Sequence, residues 1–257
     1  MLLTRMSMVA LTALLIPACA PISPPAADPT PPGKIAYRAA RERVTAVVVS
    51  AKDGLDPWIA SRFRSGRGPE DADGGSGVPI TPDGYFLTAD HVLTHAAGRN
   101  VFVLQAQSGR LSATKARIVW RSGSGDIALL HINSPTPNFY QWAPSDRWIP
   151  EGTPVIHAGI ATGFRSTPGK LVTSFAPHRF GRFKYDIPLQ PGDSGGPVIN
   201  ARGELIGINS AVEYLVPIET AFFIESEANR PDVYALERLI ERDRRNTPAT
   251  ASVGGAS

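Results

Sequence analysis

The sequence predicts an all-β domain that ends in a single helix. Three observations carry this reading. Short apolar runs recur along the chain with turn residues between them. Gly and Pro, 24 of each in 257 residues, punctuate it more densely than the ~12% usual for folded chains. A clear helical period occurs near the C-terminal end. Hydrophobic residues at 42% and charged residues at 19% exclude a coiled coil, a mainly disordered chain and a polytopic membrane protein. The balance of 26 Lys and Arg against 23 Asp and Glu is too even to call for nucleic acid. One cysteine leaves no intrachain disulfide.

The N-terminus has the layout of a targeting segment. Arg5 is followed by the mostly apolar stretch Met6 to Ile16, which is short for a membrane span. The stretch ends at Ile16-Pro17-Ala18-Cys19, which resembles a bacterial lipoprotein signal, with Pro17 where a small or β-branched residue is usual. On this reading residues 1–18 are removed and Cys19 is acylated, anchoring the chain to a membrane. Cleavage after Ala20 is the alternative, and it would put Pro21, with its fixed φ and missing N–H, directly behind the cut. Residues 20–34 hold six prolines. Such a run favours polyproline II, so residues 19–40 are read as a linker that holds the folded domain off the membrane.

The domain proper is expected over 41–245. The β-branched run Val44 to Val49 opens it, and residues 53–76 read as a long polar loop. Val78 to Ile80 then runs into the turn Thr81-Pro82-Asp83-Gly84 and on to Tyr85 to Thr88. Val101 to Leu104, Ala116 to Trp120 and Ile127 to Ile132 follow as strands. Residues 133–150 carry four prolines and no sustained period, the pattern of a connection. A second series comprises Pro154 to Ala158, Gly169 to Phe175, Arg182 to Ile187, Pro197 to Ile199, Leu205 to Ile208 and Ala221 to Ile224. Many short strands at this spacing indicate barrels or sandwiches. Between Asp232 and Arg242, Val233, Leu236, Leu239 and Ile240 fall on one helical face, with Pro231 at the start, so a helix is predicted at about 231–243. Residues 246–257 read as a tail.

Three motifs carry chemistry. In Gln190-Pro191-Gly192-Asp193-Ser194-Gly195-Gly196-Pro197-Val198, glycines flank a serine. They permit the tight turn that exposes a nucleophilic hydroxyl and aims backbone N–H groups at a developing oxyanion. In Leu87-Thr88-Ala89-Asp90-His91-Val92, a histidine ends an apolar strand, and its ordinary pKa suits a general base. In Gly125-Asp126-Ile127-Ala128-Leu129-Leu130, a carboxylate precedes an apolar strand, where partial burial would let it orient an imidazole. Asp90, beside His91, is expected to point to the opposite face of the strand. His95, His131, His157 and His178 form no metal-binding spacing, so no metal or other cofactor is expected. Trp58, Trp142 and Trp148 are read as packing residues.

Together these motifs resemble the chymotrypsin-like serine proteases, and within them the disulfide-free bacterial HtrA/Deg branch without a PDZ domain. The order His91, Asp126, Ser194 is that family's order. The resemblance implies two six-stranded antiparallel β-barrels, at about 41–132 and 151–228, followed by the helix. It implies a triad of His91, Asp126 and Ser194, an oxyanion hole from the N–H groups of Gly192 and Ser194, and protein or peptide substrates. By the same resemblance Pro188, Leu189, Gln190, Ser210, Ala211 and Val212 fall around the S1 pocket. With no carboxylate or histidine among them, small or medium aliphatic P1 residues are expected. No activation motif precedes Val44, so Asp193, which in digestive members pairs with a freed N-terminus, must find another partner. The function expected is an endopeptidase of the bacterial cell envelope, lipid-anchored through Cys19 and facing the periplasm. The alternative is a catalytically silent lipoprotein that uses the protease fold as a binding module.

Overall fold

The computed structural model describes residues 30–57, 59, 69–107, 110–146, 148–163, 165–175, 180–214 and 224–247. Cys19, Trp58, His178 and the signal-like segment lie outside them. Helix α1 (Lys34–Arg43) follows Pro31, Pro32 and Gly33 and begins inside the stretch read as linker. Its buried face is Ala36, Ala39 and Ala40, while Ile35 is exposed. An alanine stripe gives little hydrophobic contrast but allows close approach, and α1 packs on strands of the second sheet.

Strands β1 (Thr45–Ser50), β2 (Asp73–Pro79), β3 (Tyr85–Thr88), β4 (Asn100–Gln107), β5 (Arg110–Ser122) and β6 (Ile127–Ile132) form a closed antiparallel barrel in the order β1-β2-β3-β6-β5-β4. Closure leaves no free edge. Its interior holds Val47, Val49, Phe86, Val101, Val103, Ala128 and Leu130. Strand β2 takes in Asp73 to Ser76, the end of the segment expected to be loop. Its Gly-rich sequence still pairs along β1 from Thr45↔Gly77 to Val49↔Asp73.

Strands β7 (Pro154–Ala158), β8 (Ser166–Lys170), β9 (Gly181–Tyr185), β10 (Pro197–Asn200), β11 (Leu205–Tyr214) and β12 (Ile224–Arg230) form the second sheet, in the order β8-β7-β10-β11-β12-β9. The isolated bridge Leu171↔Tyr185 joins its two edges, with the Val172 N–H donating to the Lys184 carbonyl at 2.8 Å. The second barrel therefore closes through a single bridge rather than a full ladder. Phe175 and Phe183 stack within it, their centroids 4.4 Å apart. The stretch expected as one strand from Gly169 to Phe175 breaks after Lys170. Expected strand residues 221–223 lie outside the described residues, and β12 runs on to Arg230.

Between the two barrels lies a shared core in which Leu87, Leu129, Ile156, Leu205, Leu236 and Ile240 meet the α1 alanines. Helix α2 (Val233–Asn246) begins where Asp232 caps the Ala235 N–H at 2.9 Å. It follows the second sheet in sequence but docks on the first barrel. Asp243 accepts two bonds from Arg117 (2.8 and 2.6 Å) and one from the Tyr85 hydroxyl (2.8 Å), and Arg244 grips Asp83 at 2.7 and 2.8 Å.

Candidate active site

The first barrel contributes two of the expected residues. Strand β3 ends at Thr88, so His91 is not on a strand as expected. It lies in a short 3-10 helix (Asp90–Leu93), closed by the Val92 N–H on the Ala89 carbonyl and the Thr94 N–H on the His91 carbonyl. That turn brings the His91 Nδ1 to 3.0 and 2.9 Å from the two carboxylate oxygens of Asp126, while the His91 N–H donates to Asp126 Oδ1 at 2.9 Å. Asp126 takes φ 45°, the sole positive value of a non-glycine among the described residues. Asp tolerates this conformation better than most residues, and here it lies at the turn into β6.

Asp90 also departs from expectation. It sits on the 3-10 helix, and its carboxylate is held by Arg121 at 2.6 and 3.0 Å rather than turned away by strand alternation. The His91 ring is raised above its ordinary range by its bond to Asp126. Desolvation opposes the shift, and the charges of Asp126 and Asp90 add to it. Burial alone would raise the Asp126 carboxyl. The His91 ring, the Ser210 hydroxyl and the His91 N–H outweigh burial and hold it below the usual carboxylate range. His91 stays half exposed, as a group that must meet a substrate would.

The second barrel contributes the glycine-flanked loop of Ser194. Gly192 and Gly195 take φ of 106° and 84°. A Cβ on Gly195 would lie 2.2 Å from the Ser76 carbonyl oxygen, so both conformation and space demand glycine there. Ser76, on β2 of the first barrel, clamps the loop. Its N–H donates to the Ser194 carbonyl at 2.7 Å, and its hydroxyl donates to the Gly192 carbonyl at 2.8 Å while accepting the Ile160 N–H at 3.0 Å. Among the described residues the Gly192 and Ser194 N–H groups make no internal hydrogen bond.

Ser194 Oγ donates to the Ser210 carbonyl at 3.4 Å, and no hydrogen bond joins it to His91 among the described residues. The Ser210 hydroxyl in turn donates to Asp126. Ser210 therefore touches both the serine and the carboxylate, a role the sequence reading did not give it. Of the other expected S1 residues, Pro188 and Gln190 are exposed. Leu189 differs from a pocket wall: it is 7% exposed and belongs to the core cluster of Phe175, Phe183 and Ile206. Ala211 and Val212 continue β11 beyond Ser210, and their side chains lie outside the described residues.

The remaining histidines are dispersed. His95 Nδ1 lies 3.1 Å from Asp73, and His131 Nε2 lies 3.1 Å from the Asp83 carbonyl. His157 is fully buried 3.5 Å from Asp193. Trp142 packs under the Arg230 guanidinium at 5.0 Å, whereas Trp148 is exposed.

Residues 75–208, just over half the chain, match the trypsin-like peptidase domain. A "Probable periplasmic serine endoprotease DegP-like" of Pseudomonas fluorescens (strain Pf-5) is 29% identical over 201 residues, covering 68% of this chain and 41% of that protein. A protein of the same name from Rhizobium meliloti is 30% identical over 166 residues, covering 60% of this chain and 32% of that protein. In three dimensions an HtrA-type protease, AlgW with a tripeptide, superposes with a TM-score of 0.57 at 22% identity, covering 82% of this chain and 64% of that one. That likeness concerns the fold. The chain spans about two fifths of the length of the first of these curated relatives.

Proposed function

Because the chain belongs to the trypsin-like peptidase family, we propose that it is a cell-envelope serine endopeptidase acting through Ser194, His91 and Asp126. The observation that carries this reading is the convergence on Ser210. Ser194 and Asp126 come from different barrels, yet one residue accepts from the first and donates to the second.

In the proposed cycle Ser194 Oγ attacks the scissile carbonyl carbon and its proton passes to His91 Nε2. Asp126 holds the Nδ1–H and stabilises the imidazolium that forms. The Gly192 and Ser194 N–H groups, left without internal partners, receive the oxyanion. His91 then protonates the leaving amine, and water, deprotonated by the same ring, releases the acyl group from Ser194. The Ser194–His91 bond would form as substrate enters, since such bonds are often long in unliganded enzymes.

Pro188, Gln190 and Ser210 bring no carboxylate to the pocket, which supports cleavage after small or medium aliphatic residues. A P1 library that favours Arg or Glu would overturn that preference. The lipid on Cys19 and a periplasmic address are part of the same proposal. They rest on the Ile16-Pro17-Ala18-Cys19 sequence and on the periplasmic naming of the relatives. Mass spectrometry of the N-terminal peptide tests the lipid.

Treatment with a fluorophosphonate tests the activity. The expected result is one adduct per chain on Ser194, absent in Ser194→Ala. No adduct on folded protein would leave the fold serving as a binding module.

A further inference from the structure

The catalytic cycle does not use His157, yet its ring is among the most deeply buried polar groups of the molecule. Strand alternation puts His157 on the face of β7 that carries Val155 into the second core. It is 0% exposed, and so is Asp193. Burying an ionisable pair here is costly unless each polar atom is met.

The polar atoms form a directional chain. The Asp193 main-chain carbonyl can only accept, so the Asn209 atom 3.2 Å from it must be the amide nitrogen, Nδ2. The same nitrogen lies 2.6 Å from His157 Nδ1, which must therefore be an unprotonated acceptor. The Tyr185 hydroxyl donates to Asn209 Oδ1 and fixes the amide from its other end. The ring proton consequently sits on Nε2, which lies 3.5 Å from Asp193 Oδ2, an ion-pair separation, and has no partner at hydrogen-bond geometry.

The carboxylate also receives the Gln190 N–H on Oδ2 at 3.0 Å and the Thr162 N–H on Oδ1 at 3.1 Å. A Cβ on Gly159 would lie 2.1 Å from Oδ1, so the site is tight. Asn209 completes the frame through its backbone. Its carbonyl accepts the Gly195 N–H, and its N–H donates to the Gly196 carbonyl, both at 2.8 Å. Through Asp193, Gly195 and Gly196 this frame holds the turn that carries the Gly192 and Ser194 N–H groups.

We propose that His157 is a positioning residue of the peptidase: held by Asn209 and Tyr185, its Nε2–H anchors the Asp193 carboxylate and so orders the Gly192–Ser194 turn from within the chain. The inference rests on the peptidase reading above. It assigns to an internal side chain the task that digestive relatives give to a freed N-terminal amine.

The test uses the full chain as wild type, His157→Leu and His157→Gln. It measures the rate of fluorophosphonate labelling at Ser194, kcat and KM on a peptide substrate, and thermal melting. Leu removes the donor at similar volume, whereas Gln can return an N–H to the same place. The expected result for His157→Leu is a loss of about 100-fold in labelling rate and kcat, the size associated with a disordered oxyanion donor, with KM little changed. His157→Gln should recover most of it. Labelling of His157→Leu at the wild-type rate overturns the inference and leaves the peptidase reading intact. Wild type that fails to label overturns both.

Should His157→Leu not fold, the ring itself decides the matter in wild type. Nitrogen NMR should find the His157 proton on Nε2 with Nδ1 bare. A proton on Nδ1 alone would leave no donor toward Asp193 and overturn the proposal.

Discussion

The two barrels bury different kinds of polar group. The first, closed by continuous ladders, buries side chains such as Thr45, Ser50, Ser76, Thr88 and Gln105, none of which ionises in ordinary conditions. The second, closed by one bridge, buries His157, Asp193 and Arg230 together with Asn209, Ser226 and Asn229. Among the described residues Arg230 meets no carboxylate. It donates to the carbonyls of Leu205, Ile206 and Ala143, and desolvation pushes it down to about 10. The first barrel thus fixes His91 and Asp126 by backbone geometry on an apolar core. The second fixes the Ser194 loop through a buried polar frame whose geometry depends on individual side chains. Positional accuracy can come from either source, but the second is lost to single-atom changes.

Substitutions that strike one barrel at a time should separate these two sources. The largest effect is expected for Asp126→Asn, which leaves the fold in place but removes the carboxylate that fixes the His91 tautomer. kcat should fall about 10⁴-fold at neutral pH, read by steady-state kinetics beside an unchanged circular dichroism spectrum. Phe86→Ala strikes the first core, where Phe86 is 0% exposed. It should cost about 3–5 kcal/mol of stability with kcat of the folded fraction near wild type, as read by denaturant titration.

Asn209→Ala strikes the second frame and should behave in the opposite way. It should cost about 1–3 kcal/mol of stability, as unmet buried groups do, but lose far more activity than Phe86→Ala. Equal losses of activity in the two variants would erase the contrast between the barrels.

The smallest effect concerns pH. On the proposed mechanism the base, His91, must be unprotonated, and it is raised by Asp126 and by Asp90. Activity should therefore rise with pH through a midpoint above the ordinary histidine value. Arg121→Ala, which strips Asp90 of its counter-charge, should move that limb further up. Asp90→Asn should move it down, and a shift in the other sense for either variant would refute the assignment.

Stability on the acid side has a separate source. Asp243 is lowered first by its bonds from Arg117, then by the Tyr85 hydroxyl, while burial opposes them. A depressed carboxylate contributes stability above its unfolded value of about 4 and loses it as pH falls through the folded value. Asp243→Asn should flatten that acid-side slope.

The sequence was most legible where apolar runs are bounded on both sides. Ile127 to Ile132 and Pro154 to Ala158 form the strands expected of them, residue for residue. It was less legible where strand residues are polar. Strand β5 begins at Arg110 because Arg110 to Lys115 pair with β4 despite having no apolar run. Helix α1 escaped notice because its buried side chains are alanines. At the site, Ser194, His91 and Asp126 each sit in a constrained local motif, which is what singled them out for the proposed triad. Leu189 could not be assigned a side of its loop from spacing alone. His157 and Asn209 were invisible for another reason, since their partner Asp193 is distant in sequence. The available signal was a requirement rather than a motif: Asp193 needed a partner, and His157 is the one ionisable side chain in an otherwise apolar strand.

The clamp made by Ser76 bears on self-digestion. The turn that carries Ser194 belongs to one barrel, yet two of its carbonyls are held by a residue of the other. A half-assembled chain, with the barrels not yet docked, lacks those holds and lacks the histidine and carboxylate as well. On the proposed mechanism the capacity to cut therefore arises only with completed tertiary structure, so a chain still folding is not yet armed.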